Sequence, residues 1–230
     1  PQDRSSAASD VYKRQPCIEA TETFSGAGYP ECEALLIVEV EGSLDEIDEQ
    51  IDKIMVIAES LDPTELRRAK DEDQANRIWL GRKSAFGAMG QIADYMCLDG
   101  TIPVNKLPYV LKCIGEMSKT YGLSVANVFH AGDGNMHPLI LYDANKPGEL
   151  TKCEEFGAEI LRLCVEVGGC LTGEHGVGIE KRELMDYQFT ADDIDAQLRI
   201  KDVFDSKWLL NPLKVFPLHH TEARRMAFNF

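Results

Sequence analysis

Apolar residues recur along this chain with two periods, one typical of strands and one typical of helices. Residues 34–40, ALLIVEV, form a short, nearly continuous apolar run with β-branched side chains, which predicts a buried strand. Further strands are predicted at residues 96–102, 123–130, 136–142 and 170–172. Helical spacing recurs over residues 44–61, 74–90, 105–121, 147–167 and 190–204.

Local signals mark where three of these helices begin. Ser43 and Glu46 predict a capping box at the first helix, and Thr190 and Asp193 predict a cap at the last. Asn105 is predicted to cap the third. Because strands and helices come in mixed order and include a hairpin, the sequence predicts an α+β domain. Its helices would lie on one face of a mainly antiparallel sheet.

The hairpin is predicted at NVFHAGDGNMHP, residues 127–138. Asp133-Gly134 between apolar runs favours a two-residue type I′ turn, which requires positive φ at both central residues. That turn would place His130 directly opposite His137 on one face, with Cβ atoms about 4.5–5.5 Å apart. Two imidazoles at that distance suit one metal ion. The alternative is a hairpin with two half-buried histidines that bind nothing.

A second segment, GGCLTGEHGVGIEK at residues 168–181, adds Glu174 and His175. With His130 and His137, Glu174 completes a ligand set for a divalent transition metal. Zinc is the first choice for two histidines and a glutamate, although manganese, iron and cobalt also suit this set. The sequence therefore predicts a chain that does chemistry, provided that the fold brings the two segments together.

Composition limits the partners and the compartment. With 24 Lys plus Arg and 39 Asp plus Glu, the formal net charge is −15, which disfavours nucleic acid and anionic lipid as partners. No apolar run reaches the ~18 residues of a transmembrane helix, and no secretory signal is visible. Seven cysteines without a CxxC pattern fit a reducing compartment, so we expect a cytoplasmic protein.

The first sixteen residues differ from the rest of the chain. Residues 1–16 lack apolar periodicity, and their stretch SSAASDVYKRQ resembles translated adapter sequence. We expect them to be disordered or non-native, and we expect one domain over residues 17–230.

Three motifs carry a resemblance to a known family. NVFHAGDGNMHP, GGCLTGEHGVGIEK and LLNPLKVFP (residues 209–217) resemble, in order and approximate spacing, the C-terminal part of FAD-linked oxidases. Within that family the chain is most similar to the glycolate oxidase D-subunit and D-lactate dehydrogenase branch. The resemblance implies a ferredoxin-like cap domain, often described as a duplication, that lies over the flavin. It also implies an N-terminal FAD-binding domain that this sequence lacks.

The resemblance implies roles for particular residues. His130, His137 and Glu174 match the family's metal ligands, and His175 matches its candidate general base. The substrate-binding positions correspond to Arg82 and Asn135, and the cofactor-binding positions to Asn211 and Lys214. Each has an alternative: His175 as a partner of Glu174 only, Arg82 on a solvated helix face, Asn135 as a turn residue, and Asn211 and Lys214 in a plain C-terminal stop.

The reaction that the resemblance implies is oxidation of a small D-2-hydroxy acid, of the glycolate or D-lactate type, to the 2-oxo acid. FAD would be the cofactor, and an electron-transfer protein or a quinone would be the acceptor. The alternatives are a non-catalytic docking subunit of an electron-transfer complex and a stand-alone metal-dependent hydrolase. Three positions depart from the family pattern: Val104 and Asn105 replace an arginine and a small hydroxyl residue, and Leu213 replaces a glycine.

Overall fold

The computed structural model describes residues 7–9 and 16–227. Its helices are α1 (Pro16–Ser25), α2 (Leu44–Glu59), α3 (Glu72–Gly90), α4 (Leu107–Tyr121), α5 (Glu149–Glu166), α6 (Met185–Gln188), α7 (Ala191–Phe204) and α8 (Leu218–Ala227). Its strands are β1 (Ala7–Ser9), β2 (Leu35–Ile37), β3 (Asp94–Cys97), β4 (Gly100–Thr101), β5 (Val125–Asn127), β6 (Phe129–His130), β7 (Asn135–Met136) and β8 (Pro138–Tyr142). Short 3-10 turns precede α4 and α6, at Val104–Lys106 and Arg182–Leu184.

The described strands form two antiparallel sheets. One has the order β2-β1-β6-β7-β4 and the other β3-β8-β5. The predicted α+β class is confirmed. The arrangement within it differs from the prediction of helices on one face of one sheet, because helices cover both faces of the smaller sheet.

Strand β8 explains this two-sided cover. Its first three residues are all buried, so both of its faces need an apolar partner. Leu139 faces Cys17 of α1 and Met89 of α3, whereas Ile140 lies in the larger core with Phe156 of α5. Helices α4 and α5 also pack against each other on that side.

Two of the three predicted N-terminal helix caps are present. The capping boxes at Ser43 and Thr190 are both present. Asn105 does not cap α4; it lies in the 3-10 turn, and Lys106 is the residue that precedes the helix. Gly122 ends α4 in the left-handed conformation, with φ +61°.

One prediction near the start of the chain needs correction. The strand expected at residues 34–40 is shorter, and it is only partly buried: Leu36 is 59% exposed while Ile37 is buried. Within residues 1–16, which we expect to be disordered or non-native, Ala7–Ser9 form β1 and pair with both β2 and β6. Pro16 begins α1, and the remaining residues of this segment lie outside the described part. Backbone pairing explains β1, since a strand needs no apolar pattern to hydrogen-bond with its neighbours.

Helix α2 is amphipathic, yet none of its residues is buried. Its apolar side lines a groove of about 400 Å³ together with β2 and the start of α3. In the described part of the chain, no helix has both the length and the hydropathy that a membrane crossing requires.

Candidate metal and substrate site

The hairpin turn has four residues rather than two. His130 pairs with Asn135, so residues 131–134 form the turn, and Gly134 has φ +68°. The predicted type I′ turn with His130 directly opposite His137 is therefore wrong. Because Val128 N donates to His137 O, the two histidines are diagonal neighbours on the same face, which they share with Asn135.

A distant backbone contact sets this turn length. Gly134 O accepts a hydrogen bond of 2.9 Å from Ile102 N. A Cβ at residue 134 would lie 2.0 Å from Ile102 O, so only glycine allows the two backbones to approach this closely. The turn is thus held against the segment that follows β4.

His137 is the buried centre of the site. It is 3% exposed, and neither Nδ1 nor Nε2 has a hydrogen-bond partner. Its Nε2 lies 2.9 Å from Glu174 Oε1, although the two groups are not aligned for a hydrogen bond. The His175 ring stacks at 5.0 Å between centroids, and the His130 ring meets His137 edge-on at 5.5 Å. The structure therefore brings His137, Glu174 and His175 together, whereas His130 contacts the ring of His137 and its donor atoms lie outside this group.

The loop that carries Glu174 and His175 is organised by Asp99, which was not among the predicted site residues. The Asp99 carboxylate is fully buried and accepts hydrogen bonds from the backbone N–H groups of Gly173, Glu174 and His175 at 2.9–3.1 Å. Thr172 Oγ1 also donates to this carboxylate. Four consecutive residues of the loop are thus fixed by one side chain.

Lys181 completes this arrangement with a buried charge. Its Nζ lies 3.0 Å from Asp99 Oδ2 and 3.2 Å from Thr172 Oγ1, and Lys181 is only 4% exposed. Burial alone would raise the pKa of Asp99, but the hydrogen bonds from Thr172, the loop backbone and Lys181 hold that pKa well below its usual range. The pair was detectable in the sequence only as an acidic residue inside a predicted strand and a lysine after GEHG.

Burial also determines the charge state of His137. Its pKa is lowered, mainly by desolvation, while the negative charge of Glu174 opposes the shift. The neutral imidazole is the form that binds metals. Glu174 and His175 are about half exposed, at 48% and 47% for their side chains, so the site is open to solvent on their side.

Arg82 and Asn135, the predicted substrate-binding residues, each have a buried polar atom without a partner. These atoms are Arg82 Nε and Asn135 Oδ1. The Arg82 guanidinium lies 5.9 Å from the ring centroid of Phe86, whose ring is 6.2 Å from that of His137. Burial lowers the pKa of Arg82, and the charge of Glu174 opposes this shift. Both residues thus belong to the surroundings of His137.

The two predicted cofactor-binding residues, Asn211 and Lys214, lie apart from these contacts in an exposed tail segment. Lys214 N donates to Asn211 O there. Leu213, which stands where the family pattern has glycine, has φ +63°. Val104, another departure from that pattern, lies near the turn, because a Cβ on Gly134 would be 3.7 Å from its Cγ2.

The donors present fit a divalent metal. Among the described residues, donor atoms of Asp99, His137, Glu174 and His175 lie within 4.8 Å of one another. Two ligands on one ion, each about 2.0–2.2 Å from it, lie roughly 3 Å apart, as His137 and Glu174 do. Asp99 is a poor ligand because its oxygens already bind Lys181 and the loop backbone.

The sequence of this chain is similar to that of a known protein family. Residues 13–215 match the family described as FAD linked oxidases, C-terminal domain. The chain belongs to this family.

Two glycolate oxidase subunits and a D-lactate dehydrogenase are similar in sequence to this chain. The glycolate oxidase subunit GlcD of Escherichia coli (strain K12) is 50% identical over 88% of this chain and 41% of its own length. GlcD of Bacillus subtilis (strain 168) is 31% identical over 88% of this chain and 43% of its own length. A mitochondrial D-lactate dehydrogenase [cytochrome] of Kluyveromyces lactis is 30% identical over 75% of this chain and 31% of its own length. The chain thus spans less than half the length of these relatives.

A solved structure supports the fold. The 4-ethylphenol oxidase from Gulosibacter chungangensis, in complex with isoeugenol, has a TM-score of 0.56 with 14% sequence identity. The match covers 92% of this chain and 47% of that chain. At this identity the likeness concerns the fold alone.

Proposed function

We propose that this chain is the substrate- and metal-binding part of a flavin-dependent dehydrogenase that oxidises a D-2-hydroxy acid to the 2-oxo acid. Glycolate and D-lactate are the substrates to test first, because the relatives carry those names. The observation that carries the proposal is the convergence of His137 and Glu174, whose facing atoms are 2.9 Å apart without a hydrogen bond.

The proposed ligands are His130, His137 and Glu174, with zinc as the first choice of metal. A bound divalent ion supplies Lewis-acid polarisation of the substrate hydroxyl and carboxylate. His137 contributes a neutral imidazole from the buried side, and Glu174 contributes a carboxylate from the open side. Because Asp99 binds the backbone N–H groups of Gly173, Glu174 and His175, the loop that carries this carboxylate is held in place before an ion arrives.

His175 is the proposed general base. It is half exposed, it stacks on His137, and its Nε2 is 3.9 Å from Glu174 Oε1. An imidazole in that position can accept the proton of the substrate hydroxyl. Arg82 is proposed to pair with the substrate carboxylate, because it is a partly buried cation with an unsatisfied Nε. Asn135 is proposed to hydrogen-bond to the substrate with its side-chain amide.

The cofactor is proposed to be FAD. FAD, when bound, would supply the acceptor for the hydride of the substrate α-carbon. In the relatives the matched region is less than half of the protein, which supports a separate FAD-binding domain. Asn211 and Lys214 are exposed and are proposed to contact that domain or its flavin. An electron-transfer protein or a quinone would then reoxidise the flavin.

Domain bounds and location complete the proposal. Residues 17–230 are proposed to form the cap domain, and residues 1–16 are proposed to be a disordered or non-native segment. A cytoplasmic location is proposed from the cysteine content.

Metal analysis tests the site directly. The purified chain is loaded with Zn²⁺, freed of excess by gel filtration, and analysed by mass spectrometry for metal. The variant H137A/E174Q should lose one equivalent of zinc, whereas E155Q, which changes an exposed glutamate on α5, should retain it. Equal zinc in both variants would contradict the metal site and would favour a non-catalytic docking subunit.

A chimaera tests the reaction. This chain would replace the matching region of the Escherichia coli glycolate oxidase subunit, and turnover of glycolate and D-lactate would be followed with a dye acceptor. We expect FAD-dependent turnover that falls at least about 100-fold in H175A, the lower end for loss of a general base. Activity of the isolated chain without flavin would instead support a metal-dependent hydrolase. Unchanged turnover in H175A would remove His175 from the mechanism.

A further inference from the structure

A second group of possible metal ligands lies on α6, which carries Asp186, and α8, which carries His219 and His220. The two oxygens of Asp186 face two different rings: Oδ1 is 2.7 Å from His220 Nε2, and Oδ2 is 3.2 Å from His219 Nε2. One donor atom from each of the three residues lies within 4.8 Å of the other two. None of these residues takes part in the site around His137.

The distribution of histidine makes this cluster unusual. The chain has only five histidines, and the three outside α8 all lie around His137. The remaining two are adjacent in sequence and reach the same carboxylate from one helix. Their rings are 4.3 Å apart between centroids, inclined at 40°.

The backbone at the start of α8 is fixed, which positions both rings. His220 N donates to Pro217 O, and Thr221 Oγ1 donates to Leu218 O at 2.8 Å. Thr221 is itself buried, so this first turn is packed against the body of the protein. Helices α6 and α8 are about 30 residues apart in sequence, and their possible ligand atoms therefore face each other beside a first turn of α8 that is already fixed.

Two histidines and one carboxylate form a ligand set for zinc and similar divalent ions. Ligands on one ion, each about 2.0–2.2 Å away, lie within roughly 4.4 Å of one another, so small side-chain rotations are enough to close this group on an ion. Asp186 and His219 remain partly exposed, with 37% and 57% of their side chains accessible, which leaves room for water as a further ligand. The net charge of −15 raises the local concentration of cations.

We infer that Asp186, His219 and His220 form a second divalent-metal site of the zinc class, which fastens α8 to α6. The site is separate from the proposed catalytic metal and does not depend on the proposed reaction. It is structural in kind, because all its ligands come from two helices whose relative position the ion would hold.

Zinc binding in the absence of the first site tests this inference. In the H137A/E174Q background the chain should retain one equivalent of Zn²⁺ after gel filtration. Adding D186N should remove that equivalent or weaken its binding at least tenfold in competition with a chromophoric chelator. The matched control is D195N, which neutralises another exposed, ion-paired aspartate on a helix and should leave binding unchanged.

Hydrogen exchange supplies an independent measurement. Zinc should slow amide exchange in α8 of the unmodified chain and of D195N, but not in D186N. The inference is overturned if the H137A/E174Q background binds no zinc, or if D186N and D195N bind it equally. Should H137A/E174Q fail to fold by circular dichroism, the same comparison is made in the otherwise unmodified chain, where D186N should lose one of two equivalents and D195N none.

Discussion

The substitution Asp99→Asn probes the residue that organises the site while keeping its shape. An amide replaces one carboxylate oxygen by a donor group and removes the negative charge. The N–H groups of residues 173–175 and the Thr172 hydroxyl would then compete for a single acceptor oxygen. Lys181 would keep a buried ammonium group without its anionic partner.

The size of the effect follows from these contacts. Removing one partner of a buried ion pair costs about 3–5 kcal/mol, because the other charge is left uncompensated. The side chains of Asp99 and Lys181 are 0% and 5% exposed, so water replaces little of what is lost. We therefore expect Asp99→Asn to lower the free energy of unfolding by about 3–5 kcal/mol.

Urea unfolding at pH 7, followed by tryptophan fluorescence and circular dichroism, measures this difference. The companion variant Asp99→Asn/Lys181→Met removes the stranded ammonium group, so it should recover part of the loss. A matched control is Asp195→Asn, which breaks an exposed pair with Arg199 and should change stability by less than about 1 kcal/mol. A loss below about 1 kcal/mol in Asp99→Asn would falsify the account of Asp99 as the buried anchor of the loop.

The same pair gives a defined pH dependence. The pKa of Asp99 is depressed in the folded state, so its contribution is present above the unfolded pKa of about 3.9 and is lost as pH falls through the folded value. The difference in unfolding free energy between the unmodified chain and Asp99→Asn should therefore be constant from pH 5 to pH 7 and shrink below about pH 4. A difference that grows on acidification would show that the sign of the shift is wrong.

The left-handed residues and the pair of His137 and Glu174 allow further measurements. Leu213→Gly should raise the free energy of unfolding by about 0.5–1 kcal/mol, because glycine adopts φ +63° without the strain of leucine; a lower urea midpoint would contradict this. Gly134→Ala should lower it by about 2 kcal/mol or more, since its Cβ would collide with Ile102 O; an unchanged midpoint would argue against the close approach. After EDTA treatment, added Zn²⁺ should raise the Tm of the unmodified chain more than that of H137A/E174Q, because an ion bound only to the folded state stabilises it; equal shifts would speak against this pair.

Features that depend on neighbouring residues were predictable from the sequence. The capping boxes at Ser43 and Thr190 need only residues one turn apart, and both are present. The position of Gly122 at the end of α4 has the same local cause. The α+β class was also predictable, because the spacing of apolar residues distinguishes strands from helices along the chain.

Features that depend on distant contacts were not predictable. The length of the histidine hairpin turn is set by the hydrogen bond from Ile102 to Gly134, which lies 32 residues further on, and nothing in the turn sequence encodes it. Two-sided burial of β8 likewise depends on where α1 and α3 pack. Asp99 was missed because its partners lie more than 70 residues away. The meeting of His137 with Glu174 was expected from the motifs, but its geometry required the fold.

Gly173 lies where the glutamate loop contacts the histidine hairpin, and its lack of a side chain allows that contact. A Cβ there would lie 2.6 Å from Asn135 Oδ1 and 2.8 Å from Thr101 Cγ2, so the backbone of the glutamate loop packs directly against the Asn135 side chain of the histidine hairpin. The separation of the two segments therefore leaves room for one side-chain amide and no additional Cβ. A methyl group added at this position would overlap the Asn135 amide, so either that amide or the glutamate loop would have to shift.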